Sequence, residues 1–199
     1  SYLTPGKSRI QLQHWQSAAN DFEAALSFDT NQPGVHYNLA GLYAQLGETT
    51  KAVEHYRTVS RLNPDMYEAH VRLGQLLPQL GENVQAAQHY EQAIRLQPNQ
   101  LDVRLQLAWL RATSVDEAAR NGRRAMQLAQ QVNERTQYRH HSALAALAAA
   151  YAETGQFENA IKWQTQAVEL AQDHQKAGMT ARRRRTNDSR VLDSPKGQD

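Results

Sequence analysis

A period of 34 residues constrains this chain more than any other feature. Gly47 and Gly81 stand one period apart, and the same step joins Leu39 to Leu73, Ala52 to Ala86, Tyr56 to Tyr90 and Pro64 to Pro98. A unit of that length is too small to bury its own apolar face, so such units stack in a row and share one continuous core. Within each period apolar residues return at helical spacing on two segments, as in Leu39, Leu42, Tyr43 and Leu46 followed by Ala52, Val53, Tyr56 and Val59. Gly47 and Gly81 fall where the first helix must stop, because glycine enters the left-handed conformation without a Cβ clash. Pro64 and Pro98 fall just past the second helix, which cannot continue through them. Composition agrees, since Ala, Leu, Gln and Glu are abundant while glycine and proline are sparse, and that mixture favours helix almost everywhere.

These positions resemble the tetratricopeptide repeat (TPR) signature, in which Leu, Gly or Ala, Tyr, Gly, Ala, an aromatic, Ala and Pro recur in that order. Residues 33–66 supply Leu39, Ala40, Tyr43, Gly47, Ala52, Tyr56 and Pro64, with Val59 in place of the second-helix Ala. Residues 67–100 supply Leu73, Gly74, Gly81, Ala86, Tyr90, Ala93 and Pro98, and residues 141–174 supply Leu147, Ala148, Tyr151, Gly155, Phe157, Ala160 and Ala167. Residues 1–32 keep Tyr2, Gly6, Trp15, Ala18, Phe22 and Ala25 but depart at Pro5 and Thr30, which marks an incomplete first repeat. Residues 101–140 start in register at Leu107 and Ala108, then lose the glycine between helices, and are similar to the irregular penultimate repeat of some bacterial TPR proteins. The resemblance implies an all-α, right-handed α-solenoid of about five helix-turn-helix repeats, and from residue 175 the composition, rich in Thr, Asn, Asp, Ser, Pro and Gly, predicts a disordered basic tail.

Other features exclude chemistry. With no cysteine, disulfides and thiolate metal sites are impossible. The longest apolar run, residues 143–152, is about half of the ~20 residues that span a bilayer. A soluble protein follows, with the cytoplasm as the default compartment. Gly6-Lys7-Ser8 resembles the end of a phosphate-binding loop but lacks the earlier glycine and a preceding strand. The eight histidines never recur at a spacing that puts two imidazoles on one helical face, and His55 and His89, as repeat equivalents, should stand ~10 Å apart. No metal or cofactor is expected. The carboxylates fall on turns and outer faces without converging, so catalysis has no visible home and the chain is expected not to be an enzyme.

What remains is binding. The resemblance sends positions two, five, six, nine, twelve and thirteen of each first helix to a concave inner face. There it places Lys7, Gln11, Tyr37, Asn38, Gln45, Arg72, Gln75, Gln79, Leu105, Gln106 and Trp109. Amides donate and accept together, which suits the backbone of an extended peptide, and Tyr37 and Trp109 offer aromatic anchors. Some relatives grip a C-terminal carboxylate with lysines, but here Leu3 and Glu68 stand where such a clamp needs them, which argues against that ligand. The expected role is therefore a scaffold that holds a peptide or helix of a partner protein in the concave groove.

Two alternatives rest on other features. The ragged first repeat fits an accessory array of a larger enzyme, such as a glycosyltransferase or kinase. Residues 176–199 carry seven basic and three acidic residues, net +4, against 15 basic and 17 acidic in the body. Arg182, Arg183, Arg184 and Arg185 are the polyanion-contact candidates there. They lack the interleaved aromatics that stack on bases, so nucleic acid is the lesser expectation.

Overall fold

The computed structural model describes residues 5–192, with side chains from Leu12 to Ala177 and at Met179. All regular structure among them is helical: α1 (Pro5–Phe28), α2 (Pro33–Leu46), α3 (Thr49–Leu62), α4 (Tyr67–Leu76), α5 (Asn83–Leu96), α6 (Leu101–Thr113), α7 (Gly122–Arg135), α8 (His141–Glu153) and α9 (Phe157–Leu192), with a short 3-10 turn, Leu77–Leu80, prolonging α4. Among the described residues, substantial packing joins only helices that are adjacent or next-but-one in the chain. That is the arrangement of an α-solenoid, with no central core.

The punctuation works as the residues dictate. Gly47 and Gly81 end the first helices of their repeats at φ 78° and 77°, and Gly155 does the same at 75°. The Gly47 N–H reaches the Ala44 carbonyl and the next amide, of Glu48, reaches Tyr43, which satisfies carbonyls that the helix end would otherwise leave open. α3 and α5 stop at Leu62 and Leu96, two residues before Pro64 and Pro98.

Small residues let the helices approach. Ala40, Ala52, Ala69, Ala86, Ala93 and Ala108 are fully buried, and the holes between them are filled by Tyr43, Tyr56, Leu73, Leu77 and Leu107. At Gly74 the space is already taken, since a Cβ there would lie 2.5 Å from the Tyr90 ring. Polar ties reinforce the stack. Arg124 on α7 grips Glu91 on α5 with two hydrogen bonds, Nε to Oε1 at 3.0 Å and Nη2 to Oε2 at 2.7 Å. Arg120 reaches Glu153 of α8 at 3.1 Å.

The ends depart from a plain array. Residues 1–32 do not form a helix pair in the described part, because α1 runs unbroken from Pro5 to Phe28: no glycine or proline interrupts the chain where a turn would fall. α9 likewise runs past residue 174 to Leu192, across residues whose composition predicts a tail. The described side chains at 175–177 are exposed; residues 193–199 lie outside the described part. The irregular repeat spans α6 and α7, with residues 114–121 replacing the glycine turn. Asn121 closes that loop by donating its N–H to the Arg111 carbonyl at 2.8 Å, while its side chain caps α7 at the Arg124 N–H. Between α7 and α8 the chain turns through Gln137 and Tyr138, both left-handed at φ 52° and 57°.

Candidate functional site

The solenoid opens a large apolar groove, about 630 Å³, against its last helix pair. α8 gives it a floor of Ala145, Ala148, Ala149 and Ala152, α9 gives it a wall of Ala160, Ile161, Thr165 and Val168, and Trp109 of α6 closes the inner end. Glu169 is its single charged lining residue. The small residues of the 143–152 run explain the depth. Ala145, Ala148, Ala149 and Ala152 line the groove with only a methyl group each, while Ala143, Leu144, Ala146, Leu147 and Ala150 are buried.

The polar positions expected on the inner face are distributed differently. Arg72 Nη1 donates to Gln75 Oε1 at 3.3 Å, Gln75 Nε2 to Gln106 Oε1 at 3.4 Å, and the Tyr90 hydroxyl to the same Gln106 oxygen at 2.8 Å. Arg72, Gln75 and Gln106 thus form one network across two repeats. Tyr37 packs edge-on against Tyr56 with centroids 5.4 Å apart, and Gln79 accepts from Thr49 at 3.1 Å. Asn38 and Gln45 are exposed. Of the expected residues, Trp109 alone lines the apolar groove. Lys7 and Gln11 sit on α1, and Arg182, Arg183, Arg184 and Arg185 on α9, but their side chains fall outside the described residues.

Sequence reasoning missed a second constellation. His36 on α2 and His55 on α3 meet through their Nδ1 atoms at 2.9 Å, and His70 on α4 meets His89 on α5 in the same way at 2.9 Å. His36 Nε2 lies 2.9 Å from the Thr30 carbonyl and His70 Nε2 lies 2.9 Å from the Pro64 carbonyl. A carbonyl only accepts, so Nε2 carries the proton and Nδ1 of His36 and His70 receives the bond from its partner. Burial lowers the His55 pKa, with His36 adding to the effect. Burial, then His70 and Arg57, push His89 down to about 4. The signal was present: two histidines 19 residues apart, repeated after 34. It escaped notice because helical-face spacing looks along one helix, and the pair spans two. Stacked on His55 with ring centroids 5.7 Å apart, Tyr43 donates a hydrogen bond to Glu23, and burial together with that carboxylate pushes its hydroxyl up to about 12.

Comparison with known proteins agrees with the geometry. The tetratricopeptide repeat profiles match residues 3–58, 37–100 and 141–174, together well over half of the sequence. The chain belongs to the tetratricopeptide repeat family. Among solved structures, MamA superposes with a TM-score of 0.70 at 20% identity, over 88% of this chain and 99% of that one. YrrB, described as a TPR protein with an unusual peptide-binding site, gives 0.72 at 18% identity, over 87% and 86% of the two chains. A tetratricopeptide repeat protein from Parabacteroides merdae gives 0.58 at 25% identity, over 79% and 59%. No curated protein sequence matches. No helix of the described residues is long and apolar enough to cross a membrane. The TPR profiles pass over residues 101–140, where the glycine turn is lost.

Proposed function

We propose that this TPR chain is a non-catalytic scaffold that receives a peptide or helix of a partner protein along its concave side. The apolar groove bounded by Trp109, α8 and α9 carries this reading. A largely aliphatic wall over an alanine floor, closed by one Trp, removes apolar side chains from water at about 25 cal/mol per Å², and so favours association. The Arg72–Gln75–Gln106 network continues the inner surface toward the earlier repeats with groups that satisfy a peptide backbone. The peptide-binding site named for YrrB, a neighbour in fold, supports the same class of role.

The test is affinity capture with the full chain, followed by titration of the recovered partner against Trp109→Ala and Arg72→Ala. Circular dichroism verifies that each variant stays folded. The expected result is weaker binding in Trp109→Ala by at least about tenfold, the loss of one aromatic anchor. Unchanged affinity in both variants would refute the assignment to the concave side.

A further inference from the structure

The repeat itself shows what the open groove is shaped to hold. In the second repeat Val53 is 0% exposed, and it is covered by Leu73 and Leu77 from the first helix of the repeat that follows. In the third repeat Ala87, at the same position, is again 0% exposed, and there Val103 and Leu107 of α6 cover it. The corresponding residue of the last repeat is Ile161, and it is 68% exposed. Val168, equivalent to the half-buried Ser60 and Ile94, is 44% exposed. Ala148, which matches Ala40 and Gly74, lies on the floor of the same groove. The wall of the seat has kept its apolar character, and among the described residues no helix covers it.

The described chain does not supply that helix. α9 leads straight on to Leu192 instead of turning back across α8. Residues 175–192 hold only Met179, Val191 and Leu192 as large apolar side chains, with no pair at i and i+4 that reproduces Leu73 and Leu77. Each helix that fills an inner seat is about 13 residues long, so the seat takes roughly four turns, or about 20 Å.

We propose that the groove between α8 and α9 is a docking seat for an amphipathic helix of a partner protein. That helix carries leucine-type residues at i and i+4 and lies as the first helix of a further repeat would lie. The inference rests on the scaffold reading above and gives its ligand a shape. Glu169 on the rim favours a basic residue on the exposed flank of the incoming helix. Helix-in-groove recognition of this kind depends on a few anchors spaced along one face.

The probe is a synthetic peptide copying residues 67–80, the segment that covers Val53. Its Glu68 is bridged to an Arg72→Lys substitution by a lactam on the solvent face, because a free helix this short is marginal in water. Fluorescence anisotropy against the full chain should show saturable binding with Kd on the order of 10–100 µM, a modest interface. Ile161→Glu/Val168→Glu should weaken it by at least about tenfold, since both carboxylates face the bound apolar side. A peptide with Leu73→Glu and Leu77→Glu should not bind. Both protein substitutions are at exposed positions, so circular dichroism should be unchanged.

The inference is overturned if the peptide shows no saturable binding, or if it binds wild type and Ile161→Glu/Val168→Glu alike. Loss of binding in Trp109→Ala alone would sink the seat but leave the concave reading standing, whereas equal binding by all three proteins would sink both. Sedimentation gives a further check. A wild-type dimer that Ile161→Glu/Val168→Glu converts to monomer would overturn the partner helix and assign the seat to a second copy of this chain.

Discussion

Acidification should loosen the third repeat through His89, and the size of the effect follows from its surroundings. His89 on α5 faces His70 on α4 and Arg57 on α3, and burial is the main reason its pKa falls from an ordinary 6.5 to about 4. A base with a lowered folded-state pKa leaves stability intact above 6.5, where neither folded nor unfolded chain holds the proton. As pH drops the unfolded chain takes up the proton first, so stability is lost progressively between 6.5 and about 4. At about 1.4 kcal/mol per tenfold change, the loss at about pH 5 would be ~2 kcal/mol for a fully buried ring. His89 keeps some contact with water, which reduces the expectation to about 1–2 kcal/mol. Urea unfolding of wild type and His89→Gln, at about pH 7.5 and about pH 5, measures it directly. Repeat arrays can unfold in parts, so amide exchange in α4 and α5 should report the same difference. His89→Gln should lose about 1–2 kcal/mol less than wild type over that interval. Equal losses in the two proteins would refute the account, whatever the absolute stability of the variant.

Three further outcomes are expected. Gly74→Ala should destabilise by about 1–2 kcal/mol in thermal melts, because a Cβ 2.5 Å from the packed Tyr90 ring outweighs the ~1 kcal/mol gained in helix propensity; a neutral or stabilising result would mean the ring can move. Glu91→Ala should cost about 1 kcal/mol by removing the two-pronged tie between α5 and α7, measured by urea unfolding, and a double cycle with Arg124→Ala should recover most of it. Gln137→Gly should be neutral to about 1 kcal/mol stabilising in the same assay, since the left-handed backbone at φ 52° suits glycine; clear destabilisation would show that the Gln side chain contributes more than its backbone costs.

The arrangement of helices was legible because it depends on local rules repeated at a fixed interval. Gly47 and Gly81 mark turns, Pro64 and Pro98 mark stops, and alanines at Ala52 and Ala86 mark crossings, each by steric properties that a residue carries wherever it stands. Trp109, expected on the inner face from its place in the repeat, lines the apolar groove. The polar inner positions were less readable. Arg72, Gln75 and Gln106 were expected on the inner face as contacts for a peptide, and their joining to one another depends on the distance between first helices of successive repeats, which no single helix encodes.

Repetition alone was therefore enough to establish the stack, its helical units and most of its buried positions, because nearest-neighbour packing of a short motif is a local property. Packing decided everything that requires two helices at once. It brought His36 to His55 and His70 to His89, it sealed Val53 and Ala87, and it left Ile161 open to solvent. An apolar side chain is core or surface according to whether another helix follows it, and that is a relation between segments, absent from the residue itself.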